Sequence, residues 1–141
     1  HLEYEGLVDD QPGVLARARA AGVGAFLNIS TKRSEWEQVV ATAGREPDVF
    51  ASIGAHPHHA DEHADLSEDD LATAAAHPRV IGLGETGLDY YYDRSDRAVQ
   101  QRLFRRHIAV SRQLRLPVII HTRDAEDDTL AILSNEMAEG A

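Results

Sequence analysis

Val80-Ile81-Gly82-Leu83-Gly84-Glu85-Thr86-Gly87 is the stretch on which the fold turns. Its first five residues make an apolar run of strand length, ending where glycines and a carboxylate take over. Downstream, a polar loop rich in tyrosine leads into the longest helical pattern, through Val99, Leu103, Ile108, Val110 and Leu114. Pro117-Val118-Ile119-Ile120 then starts another strand, and Asp124 or Thr122 can cap a closing helix through Leu130, Ile132 and Leu133. Upstream, His77-Pro78 closes a helix that starts at Ser67-Glu68-Asp69-Asp70, whose acidic residues suit the positive end of a helix dipole. Before it come a strand over 49–54 and a helix through Trp36, Val39, Val40 and Ala43 that Ser34 can cap. A strand over 25–29 is read as buried on both faces, and a first helix begins at Pro12 and stops at Gly22 and Gly24.

Helix and strand alternate throughout with no short hairpin turn, so neighbouring strands are expected to run parallel in an α/β fold. No GxGxxG follows the first strand, which weakens the case for a dinucleotide-binding open sheet against a closed barrel. With no internal repeat, low-complexity tract or linker, residues 1–141 read as one domain.

The 141 residues are 43% hydrophobic and 27% charged, close to globular averages. No apolar run is long enough to cross a bilayer and no leader is evident, so no membrane partner is expected and the cytoplasm is the expected location. Without cysteine, any metal must be held by His, Asp and Glu. A net charge of −10 argues against capture of a nucleic-acid backbone by clustered Lys and Arg. Bound cations would invert the local field and answer that objection.

Chemistry gathers at strand ends. His56, Glu85 and His121 stand at or just after the ends of three strands, and parallel strands deliver those ends to one face. His1 joins them if it follows a first strand that is not in the sequence. Two imidazoles and a carboxylate suit divalent cations, and a bridging Glu can hold two of them for work on a phosphodiester. Each residue also has a plain structural reading: a loop histidine bonded to backbone, or a solvated glutamate in a turn. His58, His59 and His63 read best as a solvated surface loop, and Tyr90-Tyr91-Tyr92 equally as lid packing or as a stacking platform for bases. Arg123 is either a phosphate anchor or the partner of Asp124.

Longer stretches carry a resemblance. VIGLGETGLDYYYD from Val80 to Asp93, PVIIHTRDAEDDTLAIL from Pro117 to Leu133, SIGAHPHHA from Ser52 to Ala60 and the opening HLEYE together resemble the TatD family of metal-dependent deoxyribonucleases. The resemblance implies part of a TIM-type (β/α)8 barrel, with strands corresponding roughly to barrel strands 2 to 5. It implies a hydrolase that cleaves DNA phosphodiester bonds from the 3' end, using two divalent ions such as Mg, Mn or Zn. DNA, single-stranded or at 3' ends, is the implied partner; no protein partner is inferable. By the same resemblance His1 is the second histidine of an HxH pair, Glu85 bridges two metals and His121 binds the second. Glu85 and His121 are thus the expected catalytic residues. His56 is expected to line the substrate pocket, with Arg123 and Tyr91 near the phosphate path.

The first histidine of that pair would precede residue 1. A further metal histidine, an ETD-like aspartate and strands six to eight would follow residue 141. The chain opens without Met and stops at Glu139-Gly140-Ala141, soon after a helical pattern, so it reads as an incomplete barrel, inactive alone and marginal in solution, with two open strand edges. Another hydrolase of the same barrel class, acting on an ester, amide or aminoacyl bond, is the first alternative, and a non-catalytic binding module the second.

Overall fold

The computed structural model describes residues 1–138; the terminal stretch at which the sequence reading ends the chain lies outside them. Four parallel strands in the order β1-β2-β3-β4 curl into a half-barrel with helices flanking it. The strands are β1 (Phe26–Asn28), β2 (Val49–Ile53), β3 (Val80–Asp89) and β4 (Val118–Arg123). The helices are α1 (Gln11–Ala20), α2 (Trp36–Arg45), α3 (Glu68–Ala75), α4 (Arg97–Leu114) and α5 (Glu126–Ala138). None of the described helices is long and apolar enough to cross a membrane.

The apolar periodicities explain the layers. Val49, Ala51 and Ile53 alternate along β2 and meet Leu15 of α1, Val39 and Ala43 of α2, and Leu71 of α3 in one buried cluster. A second cluster joins Leu88 at the far end of β3 to Phe104 and Ile108 of α4 and Ile132 of α5. Burying side chains of this size contributes roughly 1.5–3 kcal/mol each, and it clamps the strand ends between the helices. β1 and β4 each pair on one side only among the described residues. Leu27, Ile81 and Ile120, on three different strands, remain about two-fifths exposed, as expected for a half-barrel with open edges.

Two local readings are corrected. Ser34 caps nothing: it lies inside a 3-10 turn, Arg33–Glu35, that runs straight into α2. The turn is fixed instead by the Glu35 carboxylate, which accepts from the backbone N–H and the hydroxyl of Thr31. At α3 the expected start holds, with Ser67 and Asp70 satisfying each other's backbone N–H in a capping box.

The larger correction concerns β3, which does not stop at Gly84 but runs on to Asp89. Glycines hide this extension from propensity; pairing with β4 creates it. Leu83 faces Val118 and Thr86 faces Ile120, so three steps on β3 match two on β4 and a bulge falls at Gly84 and Glu85. Past the bulge Gly87 faces His121 and Asp89 faces Arg123. Gly84 and Gly87 adopt φ of 142° and 135°, and a Cβ on either would strike a backbone carbonyl of β4, that of Ile119 or His121. Gly87→Ala is therefore expected to destabilise the full-length protein by about 2 kcal/mol or more, read as a lowered urea midpoint at unchanged m. A wild-type midpoint would show that β4 gives way without cost.

Candidate metal centre

The β3 bulge and the β3–β4 register build the site. From the bulge onward, Glu85, Gly87 and Asp89 follow one another at strand spacing, and His121 lies across from the middle one. Its imidazole reaches a carboxylate on either side: Nδ1 is 3.3 Å from Glu85 Oε1, and Nε2 donates to Asp89 Oδ2 at 3.0 Å. A neutral imidazole has one proton and can satisfy only one of these two acceptors. The other nitrogen requires a second proton or a metal ion between it and Glu85. Accordingly the Glu85 contact raises the pKa of His121, against the effect of burial, with Asp89 adding to it.

Glu85 presents its second oxygen to the other edge of the sheet. His1 Nδ1 donates to the Ile29 carbonyl at 3.0 Å, and its Nε2 lies 3.8 Å from Glu85 Oε2. The glutamate backbone is fixed as well, its N–H bonded to Ser30 O at the end of β1. A hydrogen bond from His121 is the main reason that the Glu85 carboxyl titrates below its usual range. His1, Glu85 and His121, the three expected ligands, thus converge, with an imidazole nitrogen facing each glutamate oxygen.

His56 belongs to the same group. Its Nδ1 accepts the His58 N–H at 3.1 Å, and Nε2 lies 3.9 Å from Glu85 Oε1. Burial, then the neighbouring His121, lowers its pKa to about 4, so the ring is neutral near pH 7. The turn that carries it is fastened from below. His56 N–H bonds to Thr31 O, and Ala55 N–H donates to Nε2 of the fully buried His107 on α4. Trp36 Nε1 donates to Gly54 O at 2.9 Å.

Three residues, His58, His63 and Asp89, escaped the sequence reading. His58 is not a solvated loop residue: its Nε2 donates to Asp89 Oδ2 at 2.7 Å, and His56, His58 and His121 bring three possible ligand atoms within 4.8 Å of one another. His63 is no surface residue either; it is buried, accepting the Arg33 N–H and donating to the His59 carbonyl. Only His59 behaves as expected, paired with Glu62 on the surface. Asp89 is fully enclosed and accepts from His58, His121 and the Tyr92 N–H. Burial would raise its carboxyl, but these three donors outweigh it and hold the pKa at about 2. Four-residue spacing from Glu85 on one strand was the available signal, concealed once the strand was ended at Gly84.

Arg123 has no ion pair with Asp124; its guanidinium lies over the rings of Tyr91 and Tyr92 beside the site. A cavity of about 340 Å³ opens onto His1, Tyr4, His56, His58 and Glu85. The donor set of imidazole nitrogens and carboxylate oxygens, with two nitrogens facing an ionised glutamate, fits divalent cations.

Because a metal ion would replace the second proton of His121, its binding is expected to release protons and to strengthen as pH rises through the elevated pKa of that histidine. Titration calorimetry of the full-length protein with Mn in buffers of different ionisation enthalpy measures this release. Asp89→Asn should cost roughly 10- to 100-fold in metal affinity, since the amide no longer fixes which imidazole nitrogen carries the proton. Unaltered affinity in that variant would refute the assigned tautomer.

Comparison with known proteins places the chain in a family. The family model for TatD related DNase matches residues 1–141. The metal-dependent hydrolase YcfH of Escherichia coli K12, itself named as uncharacterized, is 42% identical over 135 residues, covering 96% of this chain and 50% of its own. The 3'-5' ssDNA/RNA exonuclease TatD of Salmonella typhimurium is 35% identical over 124 residues, covering 88% and 48%. The crystal structure of YJJV, a TatD homolog from Escherichia coli K12, superposes with a TM-score of 0.89 at 29% identity, over 96% of this chain and 53% of that one. The chain spans about half the length of the curated relatives it matches. With the half-barrel, the site on its rim and a match along its whole length, the chain belongs to the TatD family of metal-dependent hydrolases.

Proposed function

We propose that residues 1–141 form part of a barrel hydrolase that removes nucleotides from the 3' end of DNA, with Glu85 and His121 as its catalytic residues. The observation that carries this reading is the Glu85 carboxylate facing His1 through one oxygen and His121 through the other. That arrangement suits two divalent cations, Mg, Mn or Zn, with His1 at one and His121 at the other. Bound there, the cations would polarise phosphoryl oxygens and lower the pKa of a bound water.

The chain's own groups supply the rest. Glu85, kept ionised, presents negative charge toward His1 on one side and His121 on the other, where cations would be held. His56, neutral near pH 7 and with Nδ1 accepting from His58 N–H, lines the cavity with Nε2–H as a donor toward substrate. Asp89 holds the rings of His58 and His121 in orientation. Arg123 and Tyr91 lie on the substrate side. Hydrolysis adds water across a phosphorus–oxygen bond, the water oxygen bonding to phosphorus while its proton passes to the departing oxygen. DNA and the 3' direction are supported by the name of the TatD relatives, and the need for metal by the names of YcfH and its kin.

The full-length protein is expected to shorten a 5'-labelled single-stranded oligodeoxynucleotide one nucleotide at a time, and to stop on addition of chelator. Glu85→Gln should reduce the rate at least about 100-fold, beyond the usual loss for removing a residue that merely supports a ligand. Its fold should persist, because the Glu85 backbone carries the bond to Ser30. A protein that leaves DNA intact but hydrolyses a carboxylic ester, amide or aminoacyl bond under the same metal dependence would replace the nuclease reading with that of another hydrolase.

A further inference from the structure

Beside the metal centre stands a group of side chains that the hydrolytic chemistry does not use. Tyr91 and Tyr92 are 57% and 46% exposed, a large aromatic surface to leave in water. Their rings meet edge to face at 4.8 Å. The Arg123 guanidinium lies 4.1 Å from the Tyr91 centroid and 4.7 Å from that of Tyr92, and Arg94 lies 5.2 Å from Tyr92. Among the described residues neither arginine forms an ion pair, in a chain whose net charge is −10.

The position of this group is set by the metal site itself. Asp89 Oδ1 accepts the Tyr92 N–H at 2.9 Å while its other oxygen holds His58 and His121. The Tyr90 N–H bonds to the Arg123 carbonyl, and the Tyr92 ring sits edge-on to His58 at 5.3 Å. Arg123 follows His121 by two positions on β4, a displacement of about 6.6 Å along the strand. The rings are ordered by these backbone bonds and stand exposed among the described residues.

We propose that Tyr91, backed by Arg123 and Tyr92, is a stacking subsite for an unpaired nucleobase, with the Arg123 guanidinium taking the adjoining phosphate. This rests on the nuclease reading and adds what that reading lacks, a reason for preferring strands whose bases are free. Stacking on an aromatic face tolerates any base but requires one that is out of a duplex, and the unpaired guanidinium supplies N–H donors for a phosphate oxygen.

The test is equilibrium binding in chelator, where hydrolysis cannot intervene. The probes are a labelled single-stranded oligodeoxynucleotide and a strand of equal length made of abasic residues. Wild-type full-length protein should bind the normal strand about 5- to 100-fold more tightly. Tyr91→Ala should erase most of that difference and Tyr91→Phe should retain it, a pattern that loss of structure would not produce. Arg123→Ala should weaken both probes and reduce the salt dependence by about one phosphate contact. Equal binding of the two probes by wild type, or a Tyr91→Ala protein that discriminates as wild type does, would overturn the subsite. Hydrolysis of a small phosphodiester without a base, such as bis(4-nitrophenyl) phosphate, by the unaltered protein judges the catalytic reading separately.

Discussion

The His121 imidazole suspended between Glu85 and Asp89 is the contact around which the rest of the rim is arranged. One ring cannot donate from both nitrogens while neutral, so the arrangement leaves a place for a cation, a second proton or a metal ion, at the Glu85 side. That place arises from strand register alone. If β4 slipped by one residue, His121 would leave the face it shares with Glu85 and Asp89. The bulge at Gly84 and Glu85, together with the two glycines that permit β4 to approach, keeps it there.

Asp89 extends the same constraint outward. A carboxylate with three donors in an enclosed position stays ionised, and its two oxygens tie unlike parts of the rim together: histidines on one, the tyrosine turn on the other. With an Asp89 pKa of about 2 against an ordinary 3.8, its contribution to stability is complete above the ordinary value. It is lost only as pH falls toward the folded-state value. Partners of this kind hold side chains in orientation, which is what precise sites depend on. Beneath it, His107, Trp36 and Thr31 bind the backbone of the turn that bears His56, so the helices on the outer face steady groups on the inner rim.

The net charge of −10 is not spread evenly, because the charges around the rim are segregated. Carboxylates and imidazoles collect around Glu85 and Asp89, whereas Arg94 and Arg123 stand over the tyrosines at the margin without ion pairs among the described residues. Elsewhere the described arginines are largely committed to structure. Arg79 donates to carbonyls of the 43–49 segment, Arg19 to Glu46 and Asp48, and Arg105 and Arg112 to Glu136. A count of Lys and Arg therefore says little about affinity for phosphate in this protein.

Periodicity and composition were enough for the α/β class, the parallel strands and the expectation that His56, Glu85 and His121 share one rim, because alternation of helix and strand leaves few ways to connect the chain. The absence of cysteine likewise narrowed the donors to nitrogen and oxygen. For His1 the chain offered only a conditional place after a first strand, and family resemblance supplied its expected role. What the tertiary structure alone decided was the length of β3, since glycine-rich strand and glycine-rich turn look the same until a neighbouring strand pairs with one of them. From that followed Asp89 as the common acceptor, His58 as part of the cluster, and Arg123 as a cap on tyrosines rather than the partner of Asp124. Each depends on register across strands separated by a helix in sequence, and pairing over such distances is a property of packing, which local sequence does not encode.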